Sequence, residues 1–347
     1  MNKTMKHSIY ILITTFCIVC YACKNTSIKV ERITLHPSSI ILDSLFTQMP
    51  GALNTCGHYL VWEDPFNPDH FLRVVDINTK KEIGVMGSTG RGPKEFITPI
   101  TTGSTGNKVF TCDLNQDKQA FYSIDSLLAG KEPFIPLSSY PIENCLTVIQ
   151  TGENEFICTR TQNDNLFQWI HSDSTISFFG ECPIKEEIDN KQEYFSALAG
   201  YLKYNPHNKK LIYSASQFPY IVLYEKRNST FLLKKKKTSP KKTYKIENEE
   251  IHFLDEETKP IDIALTKDYI IALQQDEETK LPPKKRTAGI RDFSSVPNTI
   301  FVYDYDLNLK KIINMSMPIL RIAASGDTNT LYAVGIDWDF CILTYEI

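Results

Sequence analysis

Several chemistries are missing from this sequence. After residue 23 its cysteines, Cys56, Cys112, Cys145, Cys158, Cys182 and Cys341, stand singly, with no CxxC pair to hold zinc or exchange thiols. His36, His58, His70, His171, His207 and His252 are equally isolated, and no two have metal-ligand spacing. There is no G-x-S-x-G nucleophile elbow, which removes the hydrolases built on that turn. Double glycines of the kelch type and Asp boxes of the sialidase type are also absent. Glycine is scarce, 15 in 347 residues, while 17 tyrosines and 19 phenylalanines favour strands over helices. Neither charge dominates, with 38 Lys and Arg against 41 Asp and Glu, so no cationic surplus points to nucleic acid.

What is present begins at the N-terminus. Lys3 and Lys6 precede an apolar run at residues 8–22, short for a membrane span, which takes about 20 residues, but suited to a secretory signal. The run ends Cys20-Tyr21-Ala22-Cys23 before polar Lys24-Asn25-Thr26-Ser27, and it resembles a bacterial lipoprotein signal in which Cys23 becomes the acylated first residue. An ordinary cleaved signal and an uncleaved anchor are the other readings. We therefore expect a signal peptide at residues 1–22, an anchor and linker at 23–27, and the folded domain at 28–347. Removing residues 1–22 takes away two lysines and no acid, moving the net charge from −3 to −5. Two or three acyl chains on Cys23 would fix the protein to the cell envelope, since each buried methylene adds about 0.8 kcal/mol. The residues after Cys23 lack an acidic cluster, which places the expected location on the periplasmic side of the outer membrane. An exported chain could pair some of its six remaining cysteines, but in strand-like runs they read as small buried core residues.

From residue 28 onward a loose unit recurs. Its most apolar strand appears as YLVWE, KVFTC, EFICT, KLIYS, YIIAL and TLYAV, starting at residues 59, 108, 155, 210, 269 and 330. Turn-forming Gly and Asn precede most of these, as in Ser104-Thr105-Gly106-Asn107 and Gly326-Asp327-Thr328-Asn329. A third strand follows each after a polar loop, FLRVVDI first and FCILTYEI last, and a fourth strand follows most of those. Four-stranded units at this period predict an all-β fold, a six-bladed β-propeller. The sixth unit stops after its third strand. IKVERITLH at residues 28–36 is therefore expected to join the last blade and close the ring. Residues 184–200 read as a short amphipathic helix. Residues 276–298 form a polar insertion, read as a loop or as a contact for a partner.

GSTGRGPKEF, residues 87–96, is the most conspicuous loop. Its GxxGxG order is not GxGxxG, and Pro93 stands where a phosphate-binding loop needs Lys. The expected role of Gly87, Gly90, Gly92, Pro93, Glu95 and Phe96 is a corner between blades, with Arg91 free to meet a carboxylate or phosphate. Gly90-Arg91-Gly92-Pro93, Glu95 and Phe96, with Lys94 where a Gly is common, behind such a signal, resemble the six-bladed β-propeller lipoproteins of Bacteroidetes of the TolB-like or NHL-like type. That resemblance implies the fold and an envelope location, and a binding role more weakly.

In a propeller this corner shares a rim with the loops after the second strands. Those loops carry Glu63, Asp64, Asp69, Asp113, Asp117, Asp164, Asp276, Asp337 and Asp339. Arg91, Asp64, Asp113, Asp117 and Asp337 are the candidate ligand-binding residues, and solvated turn caps are the plainer reading. Residues 113–117 mimic the start of a calcium loop but lack its later Gly and Glu, so calcium is the cofactor weighed and no other is identified. Lys234–Lys237 with Lys241, Lys242 and Lys245 read as edge protection, or as a contact for anionic headgroups. The expected function is a lipid-anchored module or scaffold binding a protein, peptide or glycan, with no catalytic residue assigned and no nucleic-acid partner. The alternative is a propeller enzyme of the lactonase or lyase type with a channel metal, which needs carboxylates and Asn converging on one ion.

Overall fold

A computed structural model describes residues 30–347 apart from 138–144, 163–164, 187–189, 240–242, 255–259 and 279–292. The expected signal peptide and Cys23 lie outside the described residues, as do Asp164 and most of the polar insertion. Among the described residues, no helix is long and apolar enough to cross a membrane.

Two short strands, β1 (Glu31–Thr34) and β2 (Ser39–Leu42), precede the repeat. Blade one is β3 (Leu53–Cys56), β4 (Tyr59–Glu63), β5 (His70–Asp76) and β6 (Lys81–Thr89), with β7 (Glu95–Phe96) added in parallel. Blade two is β8 (Ile100–Thr105), β9 (Lys108–Asp113), β10 (Lys118–Ser123) and β11 (Phe134–Pro136), the last reached through a short helix, α1 (Ile124–Leu128). β12 (Thr147–Gly152), β13 (Glu155–Gln162), β14 (Asn165–Ile170) and β15 (Ile176–Glu181) make blade three. After α2 (Lys191–Ala197), blade four is β16 (Gly200–Asn205), β17 (Lys210–Ala215), β18 (Tyr220–Arg227) and β19 (Thr230–Thr238). A hairpin, β20 (Tyr244–Glu247) with β21 (Glu250–Phe253), leads to blade five, β22 (Pro260–Leu265), β23 (Tyr269–Gln274), β24 (Thr299–Asp304) and β25 (Leu309–Asn314). Blade six holds β26 (Ile319–Ala323), β27 (Thr330–Ile336) and β28 (Phe340–Glu346).

The six innermost strands touch in the cyclic order β3, β8, β12, β16, β22, β26 and back to β3, so the ring is closed. Each blade is covered on both faces by its neighbours, which is why β4 and β9 are buried almost throughout instead of on alternate residues. Successive side chains enter different interfaces: Leu60 and Trp62 pack toward blade six, whereas Val61 packs toward blade two. One apolar cluster fills each of the six blade interfaces. Each large side chain buried there contributes about 1.5–3 kcal/mol.

The outer edges differ from expectation in one respect. The strand beside β28 is β2, which supplies blade six with its fourth strand. Residues 28–36, expected in that place, instead contribute β1 as a fifth strand outside β25 of blade five. The Leu35 amide continues that pairing by donating to the Asn314 carbonyl at 2.8 Å. The helix expected at 184–200 is shorter, with Asn190 capping α2 by accepting from the Glu193 amide.

Candidate functional site

Antiparallel order sends the loops between second and third strands, and those from one blade to the next, to the same face. The corner at residues 87–96 sits on that rim. At Gly87, φ is +75° and a Cβ would come within 2.5 Å of the Phe71 ring. At Gly90, φ is +151° and a Cβ would meet the Glu95 carboxylate at 2.1 Å. The recess opened by these glycines is therefore filled by the chain's own anion: Glu95 accepts from the Gly92 amide at 2.6 Å. Lys118 of blade two donates to the Gly92 carbonyl at 2.6 Å and to the Glu95 carbonyl at 2.8 Å. Phe96 is fully buried, 5.7 Å from the Phe71 ring and 6.3 Å from the Tyr122 ring, in the interface of blades one and two. The corner is a bolt between those two blades. Arg91 projects from it, exposed, and makes no hydrogen bond or ion pair among the described residues.

The rim carboxylates divide into two groups. Asp113, fully buried, accepts from the Ile97 and Thr98 amides at 2.8 and 2.9 Å, from the Thr98 hydroxyl at 3.0 Å, and from the Asn115 and Gln116 amides. Burial would raise its pKa, but these donors outweigh it and hold the carboxyl below its ordinary range. Asp64 accepts from the Thr47 hydroxyl at 2.6 Å and pairs with Arg73 at 2.9 Å. Glu63 accepts from the Ala52 amide at 3.1 Å and the Thr101 amide at 2.7 Å, and burial pushes its pKa up despite those donors. Asp276 pairs with Arg32 at 2.7 Å. These four carboxylates hold loops to blades. Asp69, Asp117, Asp337 and Asp339 are exposed, and of the candidates named from sequence only Arg91, Asp117 and Asp337 keep side chains free of such ties among the described residues.

At residues 113–117 five donors face the Asp113 oxygens, while the Asp117 side chain is exposed. Among the described residues no group of three His, Cys, Asp or Glu is placed to hold a metal ion. Asp262 on an inner strand accepts from the Ile263 and Ile322 amides, so it too is a structural tie.

The rim has a feature that the carboxylate pattern did not reveal. Trp338 is 99% exposed and Phe46 is 90% exposed, while Phe66 is exposed by more than half. Their loops are tied together: the Leu45 amide donates to the Phe340 carbonyl at 2.8 Å, and Thr47 bonds Asp64. A signal was present in Asp-Pro-Phe-Asn-Pro-Asp at 64–69 and Asp-Trp-Asp at 337–339, where an aromatic between turn formers has no strand to carry it inward. Beside the corner, Phe71, Ile97, Ile100, Leu114 and Leu146 line a hollow of about 920 Å³ on the same rim. The opposite mouth of the channel is a cavity of about 570 Å³ lined from all six blades, with Gly57, Gly106, Gly152, His207 and Asp327 at its turns.

Elsewhere the lysines of β19 are engaged with neighbours. Lys236 pairs with Glu181 at 2.8 Å, Lys235 lies 3.8 Å from Asp306, and Lys237 sits over the Tyr303 ring. Lys241 and Lys242 lie outside the described residues. Cys56, Cys112, Cys145, Cys158, Cys182 and Cys341 are all buried, and none forms a disulfide among the described residues.

Solved structures of other proteins share this architecture. A member of the DUF4221 family from Bacteroides vulgatus superposes with a TM-score of 0.54 at 11% identity, covering 91% of this chain and 96% of its own. A protein of Bacteroides fragilis gives a TM-score of 0.54 at 12% identity over 90% of this chain and 98% of its own. At such identities the likeness speaks for the fold. No curated protein matches the sequence. The sequence profile of the TolB-like 6-blade propeller-like family matches residues 31–327, and the chain, with its six closed blades, belongs to that family.

Proposed function

We propose that the protein is an exported binding module, held at the cell envelope by lipid on Cys23, that engages a polypeptide partner through the rim carrying residues 87–96. The observation behind this reading is the exposure of Phe46, Phe66 and Trp338 on hydrogen-bonded neighbouring loops of that rim. Isolated apolar side chains on a surface are ordinary, but several large aromatics gathered on one face mark an interaction surface. Arg91, Asp117 and Asp337 add free charges on the same rim. Anchoring rests on the sequence at residues 3–27, and the outer membrane with its periplasmic side is the proposed location.

Site-specific photocrosslinking in the producing cell tests the binding face. A benzophenone side chain at position 46 or 338 should yield an envelope adduct, whereas one at position 207, at the opposite mouth, should not. Adducts at position 207 with none at 46 or 338 would place the partner on the wrong face and end the proposal. The anchor is tested separately: Cys23→Ala should move the protein from the membrane fraction to the soluble one.

A further inference from the structure

The aromatic patch also carries information about what covers it. Its loops, residues 43–52, 64–70 and 336–340, contain Asp43, Asp64, Asp69, Asp337 and Asp339 but no lysine or arginine. Asp64 is used internally by Thr47 and Arg73, and the other four are exposed. Asp337, Asp339 and Asp43 act on one point from two loops: the Cys341 thiol beneath them is pushed up to about 11, first by burial and then by these carboxylates. Exposed aromatic faces set among carboxylates, with no cation of their own loops to answer them, carry a local excess of negative charge, with Arg91 of the neighbouring corner a free cation on the same rim. An anionic lipid surface or nucleic acid would be repelled from it.

A sugar stacks on aromatic rings too, but it presents acceptors as well as donors, whereas lysine and arginine carry donors only, three and five respectively. Their cations are also attracted to the face of an indole or phenyl ring, most strongly to Trp. Both halves of the patch, rings and carboxylates, suit the same kind of group. We infer that Phe46 and Trp338, with Asp43, Asp337 and Asp339 around them, dock a lysine- or arginine-bearing polypeptide segment of a partner. This rests on the rim reading proposed above and narrows it to a partner class.

The protein supplies its own reporter. Of three tryptophans, Trp62 and Trp169 are buried at 1% and 3% exposure, and Trp338 is 99% exposed, so acrylamide quenching reads Trp338. The probe is a fluorescein-labelled peptide of Gly, Ser, Lys and Arg, with a Glu-substituted peptide of equal length as its counterpart, added to the full chain in detergent. The basic peptide should bind, read by anisotropy, and should cut quenching about twofold or more, and the acidic peptide should do neither. Asp337→Asn with Asp339→Asn should weaken the basic peptide about tenfold while leaving Trp338 in place. Raising salt from 0.05 to 0.5 M should weaken it about as much, because exposed charges are screened. All of these side chains lie on the surface, and unchanged circular dichroism verifies that the variants fold.

The inference fails if millimolar basic peptide leaves quenching unchanged, if the acidic peptide or a neutral oligosaccharide protects Trp338 equally, or if the Asp→Asn variant binds like the parent. It also fails if Trp338 is already shielded in the free chain, since the occupant is then the chain itself. Photocrosslinking at 46 and 338 separates the two levels. Adducts there with no peptide binding overturn the basic-segment class alone, and absence of adducts overturns the rim reading beneath it.

Discussion

Two connections between blades, on one rim, put their residues to opposite uses. From blade one to blade two the chain spends three glycines, a proline, Glu95 and Phe96 on a closed bolt, with the glycine recess occupied by Glu95 and the ring buried. From blade six to blade one, the loop at residues 43–52 leaves Phe46 outside, hydrogen-bonded through Leu45 to the loop of the still more exposed Trp338. Cyclic closure explains the first: each blade must be locked to the next, and a glycine corner is where backbone can approach closely enough to do it. Nothing in the ring requires the second. Side chains that the fold does not use are the better indication of a partner, and the more conspicuous motif is the more structural one.

The contrast can be broken by substitution. Phe96→Ala should cost about 3–5 kcal/mol, the range for removing a buried phenyl ring, read by chemical denaturation. A loss below about 1 kcal/mol would mean the corner is no bolt.

Asp113→Asn should cost about 1–3 kcal/mol, because the replacement amide turns a donor toward amides that need an acceptor. Its pH dependence has a definite sign. The folded pKa lies below the unfolded value of about 3.9, so the carboxylate's contribution is fully present above that value and is lost as pH falls through the folded pKa. The variant should therefore show a shallower acid loss below about pH 4 than the parent. An equal slope would show that Asp113 is not held by its donors.

The smallest effect belongs to the open loops. Trp338→Ser with Phe46→Ser should change stability by no more than about 0.5 kcal/mol each while removing the binding proposed for them. A large loss of stability would mean that these rings pack in solution and that the contrast is false.

Much of the ring was legible from sequence, because inner strands covered on both sides become apolar runs. YLVWE, KVFTC and TLYAV could belong nowhere else. The outer strands were less legible. IKVERITLH and SIIL are both strand-like, and which of two free edges each one takes depends on fit against β25 and β28, not on periodicity. β11 was hidden because α1 lengthens the connection before it, and the β20–β21 hairpin is two four-residue strands, YKIE and EIHF, whose alternation is too short to stand out from the lysine- and glutamate-rich stretch around it. At the rim, residue types were readable but their commitments were not. Asp64 and Asp337 look alike in sequence, and only the loop contacts give Asp64 a threonine and an arginine while leaving Asp337 in solvent. The glycine stretch read as a corner between blades, but that Glu95, three residues past Gly92, would fill its recess was not legible.

Hydroxyl-radical footprinting of the protein in intact envelopes, compared with the purified chain, tests the central claim most directly. The account predicts that Phe46, Phe66 and Trp338 lose reactivity in the envelope, while Phe96 stays unreactive in both and His207 reacts equally in both. Protection at His207, with Phe46 and Trp338 as reactive as in the purified chain, would contradict it.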